Sequence, residues 1–346
     1  VLRSRVAVAL VTSALLLSQP FGTEARWSPA LPAAAPGLSV ADGRLDTVAI
    51  VRAARPAVVR IFAYVDLPGM AEPILVGQGS GIIFDELGHV LTNNHVIADG
   101  EYFIVSLSDG ARLEGRLIGR DWRSDLAVLG ISIEGVAPLR FGDSDTLTIG
   151  QEVVAIGYAV SQPDPPAART GSIIALDSRI LAGDIELFGL IRSNIPLYPG
   201  DSGGPLLDEA GLVVGVNAAI LTRRIGRTET SFSIPVNRVA PIVDSLIAFG
   251  RVIRPTFGVL AVPTGGSEEA PRGLQLTFVP EGSPAAAAGL QAGDIIIAVD
   301  DVAIASLDDL DALLTRRAVG EQVTVEYIGQ ADGHRARVKL TLGEAP

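Results

Sequence analysis

The segment Pro199-Gly200-Asp201-Ser202-Gly203-Gly204-Pro205-Leu206 sets one serine among glycines and ahead of an apolar run. Nucleophilic catalysis by a hydroxyl asks for this frame. The hydroxyl must stand proud on a tight turn, and small neighbours must let a carbonyl group approach the main chain. The N–H groups of Gly200 and Ser202 can then point at one spot and form an oxyanion hole, with Asp201 between them offering a third donor. The bland reading of the same residues is a Gly-rich hairpin loop with an incidental serine.

A serine hydroxyl is a poor nucleophile near neutral pH and needs a base. The chain has three histidines, His89, His95 and His334. His89 follows Glu86-Leu87-Gly88, a hairpin turn, and reads as a solvated residue. His334 lies in the distant turn Gln330-Ala331-Asp332-Gly333-His334. His95 ends the run His89-Val90-Leu91-Thr92-Asn93-Asn94-His95-Val96-Ile97, an apolar strand entering a polar turn, and is the candidate base. The base needs an orienting carboxylate. Asp125, in Arg123-Ser124-Asp125-Leu126-Ala127-Val128-Leu129, opens an apolar strand and is the candidate. Asp121 and Asp143 compete with it. Asp125 is favoured because the order His, Asp, Ser is that of chymotrypsin.

Together these motifs resemble the HtrA family of trypsin-like serine proteases. The matching residues are Thr92-Asn93-Asn94-His95-Val96-Ile97, Ser124-Asp125-Leu126-Ala127-Val128-Leu129 and Pro199 to Leu206. Gly77-Gln78-Gly79-Ser80-Gly81-Ile82-Ile83 fits the strand before the histidine. The resemblance implies His95 as general base, Asp125 as its partner, Ser202 as nucleophile and Gly200 with Ser202 as the oxyanion hole. Two departures stand out. The family usually has Asn where this chain has Asp201. In trypsin-like digestive enzymes that aspartate pairs with an N-terminus made by zymogen cleavage, and no such cleavage site is evident here. The segment Ile191-Arg192-Ser193-Asn194-Ile195-Pro196-Leu197-Tyr198-Pro199 also leaves the family pattern. Pro196 stands where trypsin has its pocket aspartate, and Leu197 matches a pocket-lining position. A preference for small or medium aliphatic residues before the cut follows.

The chain's 346 residues suffice for about two domains plus a leader. A net charge of -12 argues against nucleic acid as a partner. With no cysteine, disulfide and thiolate chemistry are excluded. Arg3 and Arg5 precede the mostly apolar run Val6 to Leu17, which is short of the about 20 residues that span a bilayer. Residues 1–25 therefore read as a signal peptide or anchor, and the Pro- and Ala-rich 26–44 as a tether. The expected location is exported, periplasmic or otherwise extracytoplasmic.

From Leu45 to Gly250 short β-branched segments alternate with turns, as at Ala57–Tyr64, Tyr102–Leu107, Leu126–Ile133 and Leu212–Ala219. That spacing points to an all-β barrel architecture. The resemblance makes it two six-stranded barrels, with His95 and Asp125 from the first and Ser202 from the second. Val239, Ile242, Val243, Leu246 and Ile247 predict a closing helix that Gly250 stops. Ala159–Arg169, Asp177–Gly189 and Leu221–Thr230 read as loops. The expected fold is thus mostly β, a chymotrypsin-like double-barrel protease domain over 45–250, followed by a smaller α+β unit over 253–345.

In that unit Ser283-Pro284-Ala285-Ala286-Ala287-Ala288-Gly289 predicts a short capped helix. Ser306-Leu307-Asp308-Asp309 predicts a second with a capping box. The unit resembles a single PDZ domain, a module that binds peptide ends by adding a strand to a sheet edge. By that resemblance Thr256, Phe257, Gly258 and Val259 form the carboxylate-binding loop. The expected activity is an exported serine endopeptidase acting on unfolded or damaged proteins, without metal or cofactor. C-terminal peptides would bind the PDZ groove, and the family implies a homotrimer. The competing expectation is a peptide-sensing or chaperone-like protein whose protease site rests.

Overall fold

In the computed structural model the β-branched runs of the N-terminal half close on themselves. Helix α1 (Thr47–Ala54) leads into β1 (Val58–Val65), β2 (Ile74–Ile83) and β3 (His89–Asn93). Helix α2 (Asn94–Ile97), β4 (Tyr102–Ser106), β5 (Arg112–Asp121) and β6 (Leu126–Gly130) follow. These six strands form a closed antiparallel barrel in the order β1-β2-β3-β6-β5-β4. Its interior is aliphatic, with Ile61, Ile82, Val90, Val105 and Leu129 fully buried. The structure describes residues 46–160, 165–182, 185–218, 230–265, 272–314, 317–330 and 333–345. The leader and tether expectations lie outside these residues, as does 221–229.

A second closed barrel uses β7 (Glu152–Gly157), β8 (Ala167–Ala182), β9 (Ile185–Ser193), β10 (Pro205–Leu207), β11 (Val213–Ala218) and β12 (Ser231–Pro235). Its order is β10-β11-β12-β9-β8-β7. Helix α3 (Val236–Phe249) closes this region. It buries Val239, Val243 and Leu246, and Gly250 caps it in the left-handed conformation at φ 71.

Asp177–Gly189 is not the loop that its charge and glycines predict. Most of it belongs to β8 and β9, which pair through three register shifts. Asp177 takes φ 55 within the middle one, between Ala175 and Ser178. Bulges break the two-residue alternation that marks a strand in sequence. Likewise Arg169, placed by sequence at the end of a loop, sits in β8 opposite Ala155.

The C-terminal unit begins with β13 (Pro255–Thr256), which pairs with β20 (Gly343–Glu344). Its main sheet holds β14 (Leu260–Pro263), β15 (Leu274–Phe278), β16 (Ile295–Val299), β18 (Gln322–Ile328) and β19 (Arg335–Thr341), with β17 (Val302–Ala303) paired to β16. Helices α4 (Pro284–Ala287) and α5 (Leu307–Leu314) accompany it. Both predicted caps form. Ser283 Oγ accepts the Ala286 N–H, and Ser306 and Asp309 bond reciprocally, Asp309 N–H to Ser306 Oγ and Ser306 N–H to Asp309 Oδ2. The core here is separate, built on Phe257, Leu276, Ile296, Val325 and Leu340.

Candidate active site

Strand β3 runs straight into the one-turn helix α2, and this junction presents His95 at the barrel rim. Its imidazole Nδ1 lies 2.7 Å from Asp125 Oδ2, and its main-chain N–H donates to Asp125 Oδ1 at 2.9 Å. Both carboxylate oxygens thus hold one residue. The His95 side chain is 45% exposed while that of Asp125 is 7% exposed, so the imidazole can reach a substrate and its partner cannot. A carboxylate on Nδ1 fixes the tautomer that leaves Nε2 free to accept a proton.

Asp125 stands in the left-handed region at φ 55, which Asp tolerates better than most residues. Its carbonyl accepts the Asn94 N–H and Asn93 Nδ2, both at 3.0 Å. Asp121 instead accepts the Ser124 N–H and hydroxyl and takes both Arg254 Nη atoms at 2.7 and 2.6 Å. It braces the turn leading to Asp125 and makes no bond to His95. Asp143 bonds Asp145 N–H and Asn237 Nδ2. Both competitors are therefore occupied elsewhere. His89 is not solvated as its turn suggests. Its Nδ1 lies 2.5 Å from Asp85 Oδ2, its ring stacks on Phe84, and its side chain is 14% exposed.

Ser202 lies on the turn before β10 and is 4% exposed. This turn packs on the first barrel. Ser80 N–H donates to Ser202 O at 2.7 Å, and Ser80 Oγ donates to Gly200 O at 2.7 Å while accepting the Tyr158 N–H at 2.8 Å. A Cβ added at Gly79 would fall 2.6 Å from Val96 Cγ2 and 3.0 Å from Ser202 O. The neighbour of His95 and the serine turn therefore converge on one point of β2. Ser80 was legible only as part of a glycine-rich strand, and its bridging role was missed.

The Pro199 carbonyl accepts the Val160 N–H at 2.8 Å. In a trans peptide the Gly200 N–H points the opposite way. The Asp201 N–H donates to Tyr198 O at 2.9 Å, so it is not the third oxyanion donor that sequence reading allowed. Leu197 is partly buried against the second-barrel cluster of Ile173, Ile191 and Ile195.

Asp201 itself is wholly buried. Its Oδ2 accepts the Tyr198 N–H and Arg169 Nη1, both at 2.8 Å. Burial pushes this carboxyl up, and the Tyr198 N–H and the Arg169 guanidinium offset only part of that. The partner that sequence could not supply for Asp201 is thus an internal arginine.

In the C-terminal unit the Phe257 carbonyl accepts the Ala285 N–H, and Gly258, at φ 67, donates its N–H to Thr256 Oγ1. Phe257 is buried and Val259 packs on the same core. The four residues thus run from the last position of β13 to the residue before β14, and a Cβ at Gly258 would meet Ser283 and Pro284. Among the described residues no group of three or more His, Asp or Glu side chains could hold a metal ion.

Two six-stranded barrels with a His-Asp pair on the first and a glycine-framed serine turn on the second define the chymotrypsin-like class of fold. A "Trypsin-like peptidase domain" family model matches residues 79–216, and a "PDZ domain" model matches residues 279–328. The "Probable periplasmic serine endoprotease DegP-like" of Ectopseudomonas mendocina is 35% identical over 81% of this chain and 59% of its own length. "Protease Do-like 1, chloroplastic" of Arabidopsis thaliana is 34% identical over 78% of this chain and 64% of its own. Among solved structures, "HtrA-type protease AlgW with decapeptide" superposes with TM-score 0.72 at 27% identity, covering 86% of this chain and 98% of that one. The serine endoprotease from Yersinia pestis gives TM-score 0.68 at 29% identity, covering 86% and 97%. The chain carries a trypsin-like peptidase domain followed by one PDZ domain, and its solved structural neighbours are HtrA-type proteases. It spans about six-tenths of the length of the curated relatives it matches.

Proposed function

We propose that this chain is a serine endopeptidase that cleaves unfolded or damaged proteins outside the cytoplasm. The observation that carries the reading is the His95–Asp125 pair, held through both carboxylate oxygens, beside a serine turn docked on the same barrel. His95 takes the Ser202 proton through Nε2 as the hydroxyl attacks a peptide carbonyl. Asp125 keeps the tautomer and stabilises the imidazolium. The Gly200 and Ser202 N–H groups receive the oxyanion, where each donor contributes about 2.7–4 kcal/mol. His95 then protonates the leaving amine, and water releases the acyl-enzyme.

The boundaries proposed with this reading are a leader over 1–25, a tether over 26–44, a protease domain over 45–250 and a PDZ domain over 253–345. Leu197 lines the pocket for an aliphatic side chain. The loop Thr256-Phe257-Gly258-Val259 takes a peptide carboxylate and recruits substrate or sets activity. A homotrimer is the proposed assembly. Relatives named as periplasmic support an exported location. Among the described residues no helix is long and apolar enough to cross a membrane.

Casein digestion and fluorophosphonate labelling, each with Ser202→Ala as control, test the reading. Cleavage and labelling that vanish in the variant support it. Equal low activity in both chains replaces it with the peptide-sensing or chaperone-like alternative.

A further inference from the structure

The turn that carries Ser202 includes a carboxylate with no access to solvent. Asp201 is 0% exposed, and its Oδ1 has no hydrogen-bond partner among the described residues. Everything that offsets this buried charge gathers on Oδ2, where the Tyr198 N–H and Arg169 Nη1 meet. Arg169 belongs to a different part of the chain. It projects from β8, where its main chain is fixed in the barrel by pairing with Ala155 of β7. Its side chain is 14% exposed, and the guanidinium lies 4.8 Å from the centre of the Tyr198 ring. One cation from the barrel wall thus grips the turn at two places, the ring at its start and the carboxylate beside the serine.

The main chain of the same turn is closed by its own bonds. Asp201 N–H donates to Tyr198 O, and Gly204 N–H donates to Asp201 O at 3.1 Å. Moving the Asp201 side chain therefore moves Gly200 and Ser202, the residues on either side of it. A buried carboxylate stripped of its cation is either neutralised or driven toward water. Either response relaxes the turn.

We infer that Arg169 is a positioning residue for the Ser202 site, holding the Gly200 and Ser202 N–H groups in register through its ion pair with Asp201. The inference rests on the reading of Ser202 as the nucleophile. It assigns the pair to the transition state rather than to substrate binding, because the oxyanion forms only after attack.

The test uses the full chain with Arg169→Met, Asp201→Asn and the two combined. Methionine keeps an apolar stem against Tyr198, and asparagine keeps an acceptor for the Tyr198 N–H. Peptide hydrolysis gives kcat and KM, and 15N-edited spectra report the Gly200 and Ser202 amides. Arg169→Met is expected to lower kcat about 100-fold with KM within about threefold, and to shift both amides. Adding Asp201→Asn is expected to recover at least about tenfold of that kcat, because no charge is left stranded. A kcat loss that the second substitution does not relieve, or a loss in KM alone, overturns the inference and leaves Arg169 a packing residue. If the unmodified chain neither cleaves peptide nor takes up fluorophosphonate, the nucleophile reading falls separately. The amides then decide alone: a shift in Arg169→Met that the double variant reverses sustains the ion pair's hold on the turn, and unmoved amides overturn it.

Discussion

The Ser80 hydroxyl on the first barrel donates to the Gly200 carbonyl on the second at 2.7 Å, across 120 residues of sequence. The same oxygen accepts the Tyr158 N–H, and the Ser80 N–H holds Ser202 O. One buried side chain therefore ties together β2, the end of β7 and the Ser202 turn. The first barrel supplies the His95–Asp125 pair and, through Ser80, one wall of the serine turn. Arg169 of the second barrel holds the Asp201 carboxylate of the same turn.

Ser80→Ala strands a buried carbonyl and a buried N–H at once. Each unsatisfied group costs about 1–3 kcal/mol. A fall in kcat of about tenfold is expected, with a melting midpoint lower by about 5–20 °C. Casein kinetics and a thermal melt measure both. Unchanged kcat beside a lowered midpoint would reduce Ser80 to a structural contact between barrels.

Asp125→Asn tests the His95 tautomer. The amide oxygen can still accept one N–H, but the NH2 group cannot serve both faces of His95 as the carboxylate does. A fall in kcat of about 10^4-fold with little change in the melt is expected. Loss of folding in place of loss of kcat would assign Asp125 to the stability of the Asn93–Asn94 corner rather than to the base.

The fold was legible where side chains repeat and illegible where contacts do. Leu126–Gly130 is an aliphatic run buried up to its last residue, and Val58–Val65 buries Val58, Val59, Ile61 and Ala63, a pattern that marks a strand. Arg112–Asp121 mixes charged, aliphatic and glycine residues on a strand that is half exposed, so periodicity carried no signal. β8 was hidden by its bulges, each of which resets the two-residue pattern. In the site, His95, Asp125 and Ser202 could be read because each lies in a short local frame. The Arg169–Asp201 pair could not, since its members are 32 residues apart with the rest of β8 and all of β9 between them, and spacing encodes no such contact. His89 was misread because a turn predicts solvent, whereas Asp85 and Phe84 enclose the ring.

Asp121 and Arg254 make the turn before Asp125 sensitive to acid. Burial would raise the Asp121 carboxyl, but hydrogen bonds from Arg254 and Ser124 and the guanidinium charge outweigh it and hold the pKa below the usual carboxylate value. A folded pKa depressed below the unfolded one adds stability above the unfolded value and loses it as pH falls through the folded one. Arg254→Ala is therefore expected to cost about 2 kcal/mol at pH 7 and less near pH 3, where the unfolded chain already takes up the Asp121 proton and part of the pair's contribution is lost. Urea denaturation at the two pH values measures it. An equal cost at both would attribute the loss to the arginine's packing instead of its charge.

Gly258 is the position at which the proposed carboxylate loop has least freedom to vary. It holds φ 67, and a Cβ there would lie 3.0 Å from Ser283 Cβ and 3.1 Å from Pro284 Cδ. An L side chain in this region costs about 1–2 kcal/mol before any contact is counted. The added methyl would also press the loop against the start of α4, where the Ala285 N–H holds the Phe257 carbonyl. Gly258→Ala in the full chain is expected to weaken binding of a labelled peptide with an apolar C-terminus about tenfold, measured by fluorescence anisotropy. Amidating that peptide's C-terminus should abolish binding to the unmodified chain, because the loop's N–H groups would then face no carboxylate. Undiminished binding of the amidated peptide would remove Thr256–Val259 from the recognition of peptide ends, whatever the effect of the glycine substitution.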